Sequence, residues 1–458
     1  MKLISKNPSK NYEILGEVNV SSKKEVKKAV VAARNAFLAW ANLSLDTRCR
    51  YIKSFLDVSR KRKEEISQFI AKETGRPITS ARANVEGGFE YFEAYIKMAD
   101  KYLLPQVTYE SGKEVHKILR EPRGVIAAIL PWNYPYMNIS WQCGQALIAG
   151  NTIVYKNSEE NPLFSQLIAE LIEKSDIPKG VFNVLYGNGE VGDYLVHQDI
   201  DMISFTGSTK VGQELTKIAA EKFIPIVAEL GGSSPLILFE DIEITDEIIS
   251  YIAGRRFENA GQACDAVKRL IVHKSKFNEV VEKLSAYVSK QKVGDALDEN
   301  TEIGPLIAKR QVDLIDKQVQ DSIKNGADVV IGGKKSSKLQ GAYYLPTILT
   351  NIERSMRVWK EETFGPVLPV ISFATEKEAI NLANDTEYGL TAHILTNDKA
   401  LFLRVSSKIN AGSIAHNQTE FWSPLNPFGG YKKSGMGRTH GPFGFYESTQ
   451  VKVISMEK

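Results

Sequence analysis

Between Gly124 and Leu230, short apolar runs alternate with helical stretches, and no other feature constrains the fold as tightly. The runs at 125–130, 152–155, 181–186, 202–205 and 224–228 are apolar on both faces. Helical spacing fills 136–149, 162–174, 190–197 and 210–222. A strand apolar on both faces must be covered on both faces, and strands joined through helices run parallel. Ligands of such sheets bind outside the carboxyl ends of the strands. Beyond Leu236 the pattern returns, with runs at 236–239, 270–273, 329–331, 367–373, 390–395 and 413–416. The expected class is α/β, with two Rossmann-like parallel-sheet domains.

The flanks read differently. Residues 1–22 suggest a turn and an edge strand. From 23 to 104 helical spacing dominates: Val26, Val30, Ala33, Phe37 and Trp40 recur at three and four, with Gly75 as a helix C-cap. Residues 105–123 alternate around Ser111-Gly112-Lys113, a hairpin signal. The tail from Glu447 to Ser455 alternates as an edge strand does. The expected division joins 1–107 with 125–230, assigns 231–438 to a second unit, and leaves 108–124 and 439–458 as projecting arms.

A net charge of +3 over 458 residues gives no electrostatic case for a nucleic-acid partner. The three cysteines, Cys49, Cys143 and Cys264, are too scattered for a disulfide framework, and neither they nor the six histidines show metal-ligand spacing. No metal is expected. No stretch approaches the ~18 consecutive apolar residues of a membrane span, and the N-terminus lacks an apolar signal core. No membrane partner is expected, and the expected compartment is cytoplasmic.

Chemistry-bearing residues cluster at strand ends. Cys264 lies in a small-residue turn with Ala260, Gly261 and Ala263, where a substrate and the backbone can approach the sulfur. Taken alone, such a cysteine serves equally as a small hydrophobe. Asn133, in Pro131-Trp132-Asn133-Tyr134-Pro135, can donate to a developing oxyanion or merely cap a helix. Lys156 and Glu159 follow a strand and could grip a ribose, with Glu159 repelling a 2′-phosphate; otherwise they are surface charges. Glu229 before Gly231-Gly232 suits a general base acting through water, or an ordinary strand end. Two glycine patterns compete for a pyrophosphate, Gly187 to Gly192 and Gly207 to Gly212, and spacing alone does not choose between them.

Together these stretches resemble the aldehyde dehydrogenase superfamily. The signs are PWNYP at 131–135, FTGST at 205–209, ELGG at 229–232, FENAGQAC at 257–264, EETFGPV at 361–367 and NPFGGYKKSGMGR at 426–438. The resemblance covers nearly the whole chain. It implies that Cys264 is the nucleophile, that the Asn133 amide and the Cys264 N–H form the oxyanion hole, and that Glu229 activates the water that hydrolyses a thioester. It further implies cofactor contacts from Trp132, Lys156, Glu159, Gly207, Ser208, Gly231, Glu362 and Phe364, and it favours 207–212 as the pyrophosphate turn. NAD is the expected cofactor, with NADP as the alternative. The first unit becomes the NAD(P)-binding domain and the second the cysteine-bearing catalytic domain. The arms become oligomerisation elements of a homodimer or homotetramer.

Within the superfamily the sequence is most similar to short succinate-semialdehyde-dehydrogenase-like members. The arginines such enzymes place nine residues after the PWN tryptophan and six before the cysteine are here Trp141 and Glu258. Arg255, Arg256 or Lys268 could replace them. Trp141, Phe421 and Trp422 suggest an aromatic-lined tunnel, and Glu258 would favour a cationic aldehyde. Rival readings are a CoA-acylating enzyme, against which Glu229 argues, and a non-catalytic protein that kept the fold.

Overall fold

In the computed structural model, which describes residues 1–458, the alternation becomes two parallel sheets. The first has the strand order Gly435–Met436, Ile226–Glu229, Met202–Thr206, Val125–Ile129, Thr152–Lys156, Phe182–Leu185. All neighbours are parallel except Gly435–Met436. Val125, Ala127 and Ile129 enter one core, where they meet Val26, Val30 and Ala33 of helix Lys23–Ala41. Ile126 and Ala128 enter the opposite core, built largely from helices between residues 45 and 103. Coverage on both faces is why this strand reads as one continuous apolar run.

The second sheet has the order Asp328–Ile331, Thr347–Thr350, Val367–Phe373, Val267–His273, Ser234–Leu238, Thr391–Leu395, Ser413–His416. Only Asp328–Ile331 is antiparallel to its neighbour. Four residues, 230–233, join the two sheets, since Glu229 ends a strand of the first and Ser234 begins one of the second. In the first sheet Val125–Ile129 is flanked by Met202–Thr206 on one side and Thr152–Lys156 on the other. The chain therefore switches direction at this strand, and a crevice opens beyond its carboxyl end.

Several elements differ from expectation. Residues 1–22 form a two-stranded antiparallel hairpin, Lys2–Asn7 with Glu13–Asn19, rather than a single edge strand. The expected helix at 136–149 is interrupted by a π-helical turn, Ser140–Gly144, which carries Trp141 and Gln142. The 105–123 segment forms strands Gln106–Glu110 and Glu114–Pro122, and the tail Thr449–Glu457 pairs along the whole second strand. The 439–458 segment is divided. Helix Gly441–Glu447 packs on Ile78–Leu103 with Phe445 fully buried, and only the last strand joins the three-stranded sheet. Gly435–Met436 belongs to the first sheet, where a Cβ on Gly435 would collide with the Ala228 carbonyl, so the chain returns to that sheet before residue 438. No helix is long and apolar enough to cross a membrane.

Candidate active site

A cavity of about 290 Å³ lies where the carboxyl ends of the first sheet face the second. Its walls include Trp132, Asn133, Gly207, Ser208, Glu229, Gly231, Cys264, Glu362 and Phe364. Of the catalytic and cofactor residues that the resemblance implies, all are therefore on it apart from Lys156 and Glu159. Those two stand together at the end of Thr152–Lys156, with Lys156 Nζ 3.8 Å from Glu159 Oε2.

The turn carrying Cys264 is built from backbone conformations that L-residues avoid. Asn259, Ala260 and Gly261 all have positive φ, at 50°, 54° and 72°. Asparagine and glycine tolerate this region; alanine there is strained and persists only because the surroundings fix it. A Cβ on Gly261 would stand 2.5 Å from the Gly365 carbonyl oxygen. Buried Gln262 donates from Nε2 to the Asn259 carbonyl at 3.1 Å and accepts from the Ile307 N–H at 2.8 Å. The Asn133 amide donates to the Gln262 carbonyl at 3.1 Å. Lys268 donates to the carbonyls of Ala263 at 3.0 Å and Cys264 at 2.8 Å. With these carbonyls held away, the Cys264 thiol faces the cavity.

Burial pushes the Cys264 thiol above its ordinary range, Asp265 adds to the shift, and Lys268 opposes it. Glu229 is 5% exposed, neither carboxylate oxygen has a hydrogen-bond partner, and burial holds its pKa well above the carboxylate range, with Arg438 opposing. A carboxyl raised in this way is tuned to exchange protons closer to neutrality. Burial lowers the Lys156 pKa, and Glu159 opposes the shift.

The two glycine patterns separate in space. Gly187 is needed for packing, since a Cβ there would collide with Val191, and neither it nor Gly192 lines the cavity. Gly207 and Ser208 do line it, at the start of helix Thr209–Lys222. Ser208 Oγ already caps that helix by accepting from the Val211 N–H at 3.4 Å. Trp132 and Phe364 meet edge to face at 5.9 Å.

None of the three cations offered as replacements for the missing arginines is free. Arg255 pairs with Glu420, Arg256 donates to the carbonyls of Thr363 and Gly365, and Lys268 pairs with Glu362 at 2.9 Å. Glu258 points to Arg76 at 3.6 Å and does not line the cavity, so it is not the acid that a cationic substrate would meet. The acid next to Cys264 in the chain is Asp265, which is likewise not on the cavity wall and whose carboxylate accepts from the Trp422 indole N–H at 2.8 Å. Trp141 lines the cavity and stacks on Trp422 at 5.0 Å, and Trp422 stacks on Phe428 at 4.3 Å. Phe421 instead leans on His393. Tyr134, Gln142, Phe428 and His440 complete the wall without having been singled out from the sequence. Phe428 lies in a Pro-, Gly- and aromatic-rich loop that marks it as a candidate, whereas nothing in the sequence points to His440.

The sequence model of the aldehyde dehydrogenase family matches residues 2–454. The chain belongs to the aldehyde dehydrogenase family. It is 35% identical to aminoaldehyde dehydrogenase 1 of Pisum sativum, over 98% of this chain and 91% of that protein. It is also 35% identical to the mitochondrial succinate-semialdehyde dehydrogenase of Arabidopsis thaliana, over 99% and 86% respectively. Its fold is similar to the crystal structure of Staphylococcus aureus betaine aldehyde dehydrogenase in complex with NAD+, with TM-score 0.94, 33% identity, and coverage of 99% of this chain and 91% of that one. This aldehyde dehydrogenase is accordingly an NAD(P)-dependent oxidoreductase acting on aldehydes.

Proposed function

We propose that this aldehyde dehydrogenase oxidises a cationic aldehyde to its carboxylic acid, with Cys264 as nucleophile, Asn133 as oxyanion donor and Glu229 as base. The observation carrying this reading is that the three side chains, separate in the sequence, line one cavity with Trp132, Glu362 and Phe364. The residues fit an NAD(P) molecule. A side chain on Gly231 would collide with the Glu362 carboxylate, so only glycine leaves that approach open, and Glu362 remains 20% exposed beside it. Glu362 would take the nicotinamide-side ribose, Trp132 and Phe364 the ring region, the Gly207–Ser208 turn a phosphate, and Lys156 with Glu159 the adenosine ribose. When bound, the nicotinamide supplies the hydride acceptor.

The Cys264 thiolate forms its bond to the carbonyl carbon. The Asn133 amide has two N–H groups; one is fixed on Gln262, leaving the other for the oxygen that gains charge. The Cys264 backbone N–H makes no hydrogen bond within the protein, so it can be the second donor. Loss of the carbon-bound hydrogen as hydride, to the acceptor this site would hold, would turn the adduct into a thioester; Glu229 then takes a proton from the water that attacks it, and the acid leaves as the thiol re-forms.

The aromatic wall supports the substrate class. Trp141 and Phe428 line the cavity as rings open to a cation, whereas Tyr134 already carries the Arg76 guanidinium 4.0 Å from its ring centre. Burial lowers the His440 pKa to about 3, so this residue adds no positive charge to that wall near neutrality. Arg255, Arg256 and Lys268 are all engaged, and Arg310 on the cavity wall pairs with Glu160, which disfavours succinate semialdehyde. An aldehyde panel tests both points: an aminoaldehyde, betaine aldehyde, succinate semialdehyde and a neutral aliphatic aldehyde, with and without CoA, read by NADH formation. The cationic aldehydes are expected to have the highest kcat/KM, independent of CoA. Preference for succinate semialdehyde overturns the substrate class, a CoA requirement overturns hydrolysis, and full activity of Cys264→Ala overturns the nucleophile.

The three-stranded sheet leaves Val107, Tyr109, Val451 and Val453 about half exposed or more. Such a surface suits pairing with a second copy, so a homodimer or homotetramer of cytoplasmic location is the assembly favoured here; a monomer in light scattering would count against it.

A further inference from the structure

The Lys268 side chain is wholly buried, and its ammonium makes three contacts that draw two parts of the site together. It donates to the carbonyls of Ala263 and Cys264 in the nucleophile turn, and to Oε1 of Glu362 on the opposite wall. The same Oε1 accepts from the Gly232 N–H at 3.1 Å. All three ammonium protons are thus used, and none points at the cavity. A lysine with no exposed surface requires a reason, because burying an ammonium is costly unless it is paired.

We propose that Lys268 is a positioning residue that couples the two halves of the site: one ammonium holds both the Cys264 turn and the Glu362 carboxylate, so a ribose engaging Glu362 is felt at the nucleophile. This rests on the reading of Cys264 as nucleophile and Glu362 as ribose ligand. The charged and titratable groups facing Cys264 are Asp265 in its own turn, Glu229 from the first sheet, Glu362 and Lys268. Tyr134 faces it from the PWNYP stretch. Of these, only Lys268 favours the thiolate, and Glu362 works against it. Ribose hydroxyls donating to Glu362 draw its negative potential away from the sulfur and loosen its hold on the ammonium. The cation is then left in excess at the Cys264 turn, and the thiolate becomes easier to form. The coupling is reciprocal, so the thiolate form binds the ribose more tightly by the same factor.

ADP-ribose is the probe, since it carries the nicotinamide-side ribose without the charged ring. The rate of Cys264 alkylation by iodoacetamide is followed against pH, with and without ADP-ribose, and mass spectrometry locates the label. In the natural enzyme ADP-ribose is expected to move the midpoint of the thiol down by about one pH unit. In Lys268→Met the midpoint starts higher and the ADP-ribose shift is lost. Glu362→Gln starts lower and does not respond. If Lys268→Met does not fold because Glu362 is left unpaired, Lys268→Met/Glu362→Gln removes both charges and is expected to show no shift. An undiminished shift in either Lys268 variant, or none in the natural enzyme, overturns the coupling. Calorimetric ADP-ribose affinity separates the two levels. Unchanged affinity in Glu362→Gln would refute the ribose assignment, whereas weakened affinity with a persistent shift in Lys268→Met refutes the coupling alone.

Discussion

Oε1 of Glu229 lies 2.8 Å from the point where a Cβ of Gly429 would stand. The Glu229 carboxylate therefore rests against a position kept free of a side chain, in a loop remote in sequence. A Cβ there would also meet Arg438 Cδ at 2.7 Å and the Gly437 carbonyl at 2.8 Å, so Gly429→Ala displaces the Glu229 carboxylate together with the arginine that opposes its raised pKa. First-turnover NADH release should persist, while the steady-state rate falls by about tenfold, the effect of roughly 1.4 kcal/mol on the hydrolytic barrier. Stopped-flow NADH absorbance separates the phases, and equal loss in both would place Gly429 outside the deacylation step.

The pH dependence follows from the burial of Glu229. Its pKa is raised in the folded enzyme, so the basic form appears only as pH climbs through that raised value. The steady-state rate should fall on the acid side with an apparent pKa above the ordinary carboxylate range. Glu229→Gln should keep a first burst of NADH, stall afterwards, and lose that acid limb. A burst blocked as strongly as turnover would show that Glu229 acts before deacylation.

Glu159 is 43% exposed and 3.8 Å from buried Lys156. A carboxylate beside the adenosine ribose accepts from a 2′-hydroxyl and repels a 2′-phosphate. Glu159→Ser should raise the ratio of kcat/KM for NADP to that for NAD by about tenfold, with Lys156 freed to meet the phosphate. Initial rates with both cofactors measure it, and an unchanged ratio removes Glu159 from the ribose contact.

The parallel strands were legible because Val125–Ile129 and its neighbours carry apolar residues on both faces, a pattern few other environments permit. That Cys264, Asn133 and Glu229 belong to one site was legible from resemblance, not from any one spacing, since each has a plain structural alternative. The π-helical turn at Ser140–Gly144 was hidden, because Trp141 fits an ordinary helical period and the extra residue leaves no mark in composition. Thr347–Thr350 is too short to show alternation. Lys268 read as a free cation near the nucleophile; what the sequence could not supply was its long-range partner Glu362, 94 residues away. Glu258 misled for the same reason, as its partner Arg76 comes from a distant helix start.

Trp422 ties the aromatic wall to charge by donating to the Asp265 carboxylate while stacking between Trp141 and Phe428. Trp422→Phe retains the stack and removes the donor. Because a hydrogen bond to a charged group contributes about 1.5–3 kcal/mol, the variant should melt at lower temperature. Asp265→Asn removes the negative charge behind the rings. The ratio of kcat/KM for betaine aldehyde to that for a neutral aldehyde of similar size should drop several-fold, on the scale of about 1 kcal/mol of cation attraction. A ratio that holds steady would leave the rings, and not Asp265, as the source of selectivity.

Away from the site, Glu73 is fully buried and joins three elements. It accepts from Ser5 Oγ at 2.6 Å and from the N–H groups of Leu163 at 2.9 Å and Phe164 at 2.7 Å, at the start of helix Pro162–Lys174. Burial outweighs these bonds and raises its pKa to about 7, against 4.5 unperturbed. The folded state thus binds a proton that the unfolded chain releases between those values. Stability from this group is fully present below about pH 4.5, declines as pH rises towards 7, and is flat above. The full difference is about 3 kcal/mol, from roughly 1.4 kcal/mol per pH unit. Denaturant unfolding of the natural chain and of Glu73→Gln, compared from pH 5 to 8, isolates this contribution, because glutamine cannot titrate; its single acceptor oxygen serves only one of the Leu163 and Phe164 N–H groups, a loss that does not vary with pH. The natural chain should lose stability relative to Glu73→Gln as pH rises through this range; a difference that stays constant with pH would mean that Glu73 is ionised throughout in the folded protein.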